Sequence, residues 1–470
     1  MKRKSSAFVL LAALAAASPA PAGPCPQPET VAPGLRYSVL CRGAAATGTT
    51  YRLRLGAFNR QAEADAALAA LRAGGFAVAL EATGSSYRLF TESVATPGAA
   101  EDLKRRLAEH GWEAAAEIEA VGQDLTNPGG PWRVHVLEAD PARMRLEVAH
   151  AYDAAIGLET TAELAERRDA LAAVNGGYFR MTGLLAGDSQ GALRIDGALL
   201  SEPDRGRGAV GFFTAGGATR AVFGRLSFRG EVRIGDGTIV PLDGVNRPRG
   251  PSEIILFTPQ FHRTTLTSPG GAEILVADGL VAEVRVGAGS SVIPAGGMVL
   301  SVGRDRLHQV LPHALPGKPV SVDTKIVPLL PDPDHEWDRA EDIVGGGPLL
   351  LWRGNRLEEP GKESISDVFF LARHPRTAIG VRADGTLILV AVDGRRPAES
   401  VGMSLPELTD LMLELGCVSA LNLDGGGSTT MVVEGEIVNR PSGLSPRRNA
   451  DGILVFPRPP APAGEASDPR

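Results

Sequence analysis

Apolar and polar positions alternate along this chain in stretches that predict a small unit followed by a much larger one. Tyr51-Arg52-Leu53-Arg54-Leu55 has the period of two expected of a half-buried strand. Residues 62–71 then place apolar side chains at helical spacing, and Gly74-Gly75 ends the segment. Residues 76–80 and 87–90 predict two strands, 99–110 a helix stopped by Gly111, and 112–118 a closing strand. Farther along, Thr160 and Glu163 are spaced as a capping box before a helix, as are Ser404 and Glu407. The apolar runs 170–174, 387–392 and 417–423 predict buried strands, each delivering a polar or glycine-rich turn at its end.

The order strand, helix, two strands, helix, strand over residues 51–121 resembles the SPOR domain, and Tyr51-Arg52-Leu53-Arg54-Leu55-Gly56-Ala57-Phe58 is similar to that family's first-strand signature. The resemblance implies binding to peptidoglycan glycan strands. Tyr87-Arg88-Leu89-Phe90-Thr91-Glu92-Ser93 departs from the family's third strand, which usually continues into a glycine and an apolar residue. A spacer module without glycan binding is the alternative reading.

The full organisation expected is a signal peptide over 1–22, a linker over 23–50, the SPOR-like unit over 51–121, a linker over 122–131, a large domain over 132–456 and a disordered tail over 457–470. The leader rests on Lys2, Arg3 and Lys4, the apolar run 7–17 and the small-residue site Ala20-Pro21-Ala22. That run is shorter than the ~20 residues a spanning helix needs, so no membrane span is expected after cleavage. Export places the chain in the periplasm or otherwise outside the cytoplasm. An oxidising compartment permits a Cys25–Cys41 disulfide, while Cys417 reads as a buried small hydrophobe. A net charge of −7 gives no sign of nucleic-acid binding.

Chemistry concentrates in five glycine-bearing motifs of the large unit: Asn175-Gly176-Gly177-Tyr178-Phe179, Val344-Gly345-Gly346-Gly347-Pro348, Pro375-Arg376-Thr377-Ala378-Ile379-Gly380, Asp393-Gly394-Arg395 and Asn422-Leu423-Asp424-Gly425-Gly426-Gly427-Ser428. Three consecutive glycines cost conformational entropy, so a loop that carries them must bend sharply or approach an anion closely. Together the five occur in the order found in the phosphodiester glycosidase family, which the large unit resembles. That resemblance implies an α+β domain with mixed sheets and hydrolysis of a sugar 1-phosphodiester at the anomeric carbon–oxygen bond, in cell-envelope glycan metabolism.

Under that resemblance Asp424 is the leading carboxylate, Asp393 the second, and Arg376 and Arg395 hold phosphate. The backbone amides of Gly425, Gly426 and Gly427 add to the cradle, and Asn175, Asn422 and Ser428 orient sugar or water. Gly176, Gly177, Tyr178, Phe179, Gly346, Gly347 and Thr377 complete the expected binding surface. Asp332, Asp334, His335, Glu336 and Asp338 form either a calcium site or a solvated acidic loop. His262, His308 and His313 are isolated. A glycan-binding protein without turnover and a metal-dependent phosphoesterase remain as rival readings.

Overall fold

The computed structural model describes residues 25–43, 50–83, 86–112, 117–121, 130–357, 359–396, 399–443 and 445–458. The leader at 1–22, nearly all of the expected second linker and the tail from residue 459 lie outside the described residues. The architecture is α+β and strand-rich. Its sheets are antiparallel apart from one short parallel pair, Gly244–Val245 beside Ile254–Phe257.

An eight-stranded antiparallel sheet carries most of the site. Its order is Glu29–Ala32, Leu35–Arg42, Trp132–Ala139, Leu387–Val392, Arg376–Arg382, Cys417–Asn422, Leu349–Trp352 and Asn355–Arg356. One face packs against a second, five-stranded sheet through Leu137, Leu389, Ile379, Leu421, Val174 and Ile453. The opposite face is covered by the helix Leu405–Glu414, whose Leu405, Leu408, Leu411 and Met412 bury against Val136, Ile388 and Val390. That helix begins in the expected capping box of Ser404 and Glu407, and Thr161–Arg167 begins in that of Thr160 and Glu163. Residues 193–345 supply a third sheet built on the long strand Ala218–Ile234, and residues 244–302 form a fourth that packs on it, Ile254, Ile274 and Leu300 sharing a core with Val232 and Val240.

Two expectations change. Segment 23–50 is not a plain linker: Glu29–Ala32 and Leu35–Arg42 are strands of the main sheet, and Cys25 is joined to Cys41 with a Cα–Cα distance of 5.8 Å. The SPOR-like unit therefore enters as an insertion. Leu35–Arg42 pairs in antiparallel register with Trp132–Ala139, Arg42 opposite Trp132, and the whole of residues 50–121 is spliced into the connection between them. The inserted unit has a four-stranded sheet in the order Val78–Thr83, Ser86–Thr91, Thr50–Phe58, Glu117–Val121. Helices Gln61–Ala73 and Pro97–Glu109 complete it around Leu53, Leu55, Leu71, Leu89 and Leu107.

Candidate active site

Buried strand ends converge where Asn175, Asn422 and Asp424 leave their sheets. Asn175, the last residue of Ala172–Asn175, is 1% exposed. Its Nδ2 donates to the Asp424 carbonyl at 2.7 Å, and its Oδ1 accepts from Thr377 Oγ1 at 2.7 Å and from the Thr430 amide at 3.1 Å. One amide side chain thus ties three distant segments together. Asn422 does the same on the other side, donating to Gly347 O at 2.7 Å and Tyr178 Oη at 3.0 Å. Tyr178 Oη in turn donates to Gly347 O at 2.8 Å. Asn175, Thr377, Asn422, Gly346 and Gly347 are consequently a clasp beneath the site, its side-chain polar atoms taken by protein partners except for Asn422 Oδ1, which is buried without one. Gly346 and Gly347 are buried, and Phe179 pairs with Ser189 as part of the wall.

Asp424 sits at the rim of this clasp and is half-buried. Burial raises its pKa to about 6, against the opposing pull of the Ser428 hydroxyl, the Arg447 guanidinium and the Gly425 amide, which donates to Oδ1 at 2.9 Å. Such a carboxyl changes charge near neutrality and can serve a reaction in either form. Tyr178 stands beside it. Burial, reinforced by the Asp424 charge, pushes its phenol above the ordinary value, so Tyr178 is a neutral donor and wall.

The triple glycine works differently from an amide cradle. The Gly425 amide turns to Asp424, and the Gly426 amide donates to Pro375 O at 2.8 Å. What the glycines supply is room: a β-carbon on Gly427 would collide with the Arg447 guanidinium, and one on Gly426 would lie 3.1 Å from Arg395 Nη2. Two half-buried guanidinium groups therefore lean on the loop next to Asp424. Arg447 Nη1 reaches Ser428 Oγ at 3.4 Å, and Arg395 Nη1 reaches Ser442 Oγ at 3.3 Å. Planar cations beside a titrating carboxyl suit an anionic substrate.

Two expected catalytic groups are reassigned. Arg376 is 1% exposed, and its guanidinium donates to the carbonyls of Met403 at 2.8 Å, Ala372 at 2.7 Å and Phe369 at 3.1 Å. Burial lowers its pKa to about 10, which leaves it cationic. It braces the turn before its own strand. Asp393 is 2% exposed and saturated: Oδ1 accepts from the Arg440 amide at 2.9 Å and Asn439 Nδ2 at 3.3 Å, and Oδ2 faces His135 Nε2 at 3.3 Å. His135 Nδ1 lies 2.7 Å from Tyr37 Oη. Asp393 therefore holds the 439–442 segment, whose Ser442 touches Arg395.

Several site residues carry no motif in the sequence. Asp451 is buried, with Oδ1 accepting from the Gly177 amide at 2.6 Å and Oδ2 from Ser189 Oγ at 3.1 Å. Gly176 is required there, since a β-carbon would strike the Asp451 carboxylate. Beyond Ser189 opens a cleft of about 710 Å³ lined by Arg180, Asp188, Gln190, Arg205, Arg207 and Arg247, among others. Arg207 stacks over the Tyr178 ring at 5.4 Å, so Tyr178 separates the cleft from the Asp424 cluster. Asp188 pairs with Arg180 at 3.0 Å, yet burial dominates and raises its pKa to about 6.

Among the described residues no group of three His, Cys, Asp or Glu could hold a metal ion. In the acidic loop at 332–338, Asp332 caps a short helix instead, accepting from the amides of Glu336 at 3.0 Å and Trp337 at 3.3 Å. Among the described residues no helix is long and apolar enough to cross a membrane.

Residues 270–456 match the family profile described as phosphodiester glycosidase, and residues 47–116 match that of the SPOR domain. The profile match leaves the Asn175-Gly176-Gly177-Tyr178-Phe179 turn outside its bounds. The SPbeta prophage-derived protein YomE of Bacillus subtilis is 42% identical over 83 residues, 18% of this chain and 13% of its own. N-acetylglucosamine-1-phosphodiester alpha-N-acetylglucosaminidase of Bos taurus is 43% identical over 67 residues, 14% of this chain and 12% of its own. These matches span about an eighth of each relative's length. A solved structure of a protein from Burkholderia pseudomallei superimposes with a TM-score of 0.72 at 26% identity, covering 92% of this chain and 96% of the other.

Proposed function

We propose that this chain, which carries a phosphodiester glycosidase domain with a SPOR domain inserted near its N-terminal end, is an exported hydrolase of sugar 1-phosphodiesters. The observation that carries the reading is the half-buried Asp424, with a pKa near 6, flanked by Arg395 and Arg447 on one glycine loop. Cleavage of the anomeric carbon–oxygen bond releases a phosphate monoester. That leaving group is weakly basic, so protonating it matters less than in ordinary glycoside hydrolysis. The greater needs are an anion facing the oxocarbenium-like carbon and cations on the phosphate.

Asp424, in its ionised form, meets the first need. Arg395 and Arg447 meet the second, with the buried Ser428 hydroxyl positioning Asp424 and Arg447 and the Tyr178 ring walling the site. The cleft beyond Tyr178 accommodates the remainder of the substrate, and Arg207 provides the cation on that side. Arg376 and Asp393 act from beneath as braces. The SPOR unit directs the enzyme to peptidoglycan glycan strands, which fits a role in envelope glycan metabolism outside the cytoplasm.

The test is turnover of an N-acetylglucosamine 1-phosphodiester by the wild type and by Asp424→Asn. The expected result is free reducing sugar from the wild type and a loss of some thousands-fold in the variant, on the order of 5 kcal/mol of transition-state stabilisation. Near-normal turnover by Asp424→Asn would remove the assignment. Retention of the full chain on amidase-treated sacculi tests the targeting role, and its absence would remove that part alone.

A further inference from the structure

Residues 180–188 form a closed loop at the mouth of the cleft. Arg180 N donates to Asp188 O at 2.9 Å, Gly187 N to Arg180 O at 2.8 Å, Asp188 N to Leu185 O at 3.0 Å and Ala186 N to Gly183 O at 3.1 Å. The Arg180–Asp188 ion pair staples the base at 3.0 Å. Leu185 turns inward onto the small core of Phe257, Phe261, Leu275, Ile293 and Val299. Its neighbours do the opposite, with Leu184 86% exposed and Met181 60% exposed. The base of the loop packs on a second one, where Gly187 abuts Gly157 and Gly157 abuts the ring of Tyr152, itself 58% exposed.

A loop stapled this tightly presents its side chains outward by construction, and apolar groups held in water forgo burial that the isolated chain does not recover. Arg180 and Asp188 line the cleft, so the apolar tip is continuous with its mouth. On the flank, the Asp153 carboxylate beside Tyr152 is already paired with Arg167 and Arg168. Ala155 N donates to Gln260 O at 2.8 Å, joining the second loop to a segment that exposes His262 and Arg263. Arg263 is exposed and, among the described residues, takes part in no ion pair. Three apolar side chains on two loop tips are too few for a stable protein interface. They do suit a lipid surface, whose acyl boundary takes apolar side chains while anionic headgroups take the guanidinium.

We propose that the 180–188 loop, with Tyr152 and Arg263 beside it, docks the cleft mouth onto a lipid surface, so that the phosphodiester entering the cleft is lipid-borne. The substrate half of this statement rests on the glycosidase reading above; the docking half does not. Co-sedimentation of the full chain with vesicles of phosphatidylethanolamine and phosphatidylglycerol tests it, comparing the wild type with Met181→Ser/Leu184→Ser and with Leu315→Ser as an exposed apolar control distant in sequence. The wild type and control should sediment with vesicles, and the double variant should bind about tenfold more weakly. Turnover of a water-soluble sugar phosphodiester should be the same for all three. A wild type that stays in the supernatant, or a double variant that binds as well as the wild type, overturns the docking. Vesicle binding without hydrolysis of any phosphodiester leaves the docking standing and overturns the lipid-borne substrate.

Discussion

At the scale of single residues, the proposed chemistry turns on the ionisation of Asp424. Its pKa is raised by burial to about 6, and the role given to it needs the carboxylate. Activity should therefore be full above that value and fall as pH drops through about 6, a profile read from kcat/KM between pH 4.5 and 8. Gly427→Ala should displace Arg447 without unfolding the chain, because the obstructing atoms are the far end of a flexible side chain. A lost charge-assisted contact to phosphate costs about 2 kcal/mol, so kcat/KM should drop roughly 30-fold while the melting temperature stays nearly constant. Asp424 was legible in the sequence because three glycines follow it at the end of an apolar strand. Asp393 carried the same local signature, an acid after a wholly apolar strand, and differs only in that His135, Asn439 and the Arg440 amide close over it. Arg447 and Asp451 were not legible: the single hint was polar residues crowded just ahead of the apolar strand Asp451–Pro457.

At the scale of elements, strand ends are held in register by side-chain amides more than by the loops themselves. Asn175→Ala removes acceptor and donor from three groups on two other segments at a buried position, which should destabilise the protein by about 2–4 kcal/mol in denaturant melts. The helices were readable because capping boxes and glycine stops are local signals, and both boxes are present as spaced. Most of the inserted unit was also readable, because its alternation and helical spacing are local, but its closing strand, expected over residues 112–118, is Glu117–Val121. The long strand Ala218–Ile234 was not. It contains Gly224 and Gly230, which disfavour strands in isolation, and both positions are filled by neighbours: Trp337 at the first and Leu242 with Phe228 at the second.

At the scale of the whole molecule, the decisive feature is the insertion of one unit into a hairpin of the other. Periodicity is a local property, whereas the pairing of Leu35–Arg42 with Trp132–Ala139 spans the entire inserted unit, so residues 23–50 read as a linker. Replacing residues 44–129 by a short glycine-containing turn should leave turnover of a soluble phosphodiester intact and abolish retention on denuded sacculi. The Cys25–Cys41 disulfide closes a 16-residue separation at the edge of the main sheet, and its reduction should lower stability by about 3 kcal/mol, measured in denaturant with and without reductant. The most direct test of the central claim is hydrolysis of an N-acetylglucosamine 1-phosphodiester in ¹⁸O-labelled water, with mass analysis of both products. Cleavage at the anomeric carbon predicts the label in the freed sugar and none in the phosphate monoester; label in the phosphate, or no hydrolysis by the intact chain, would contradict it.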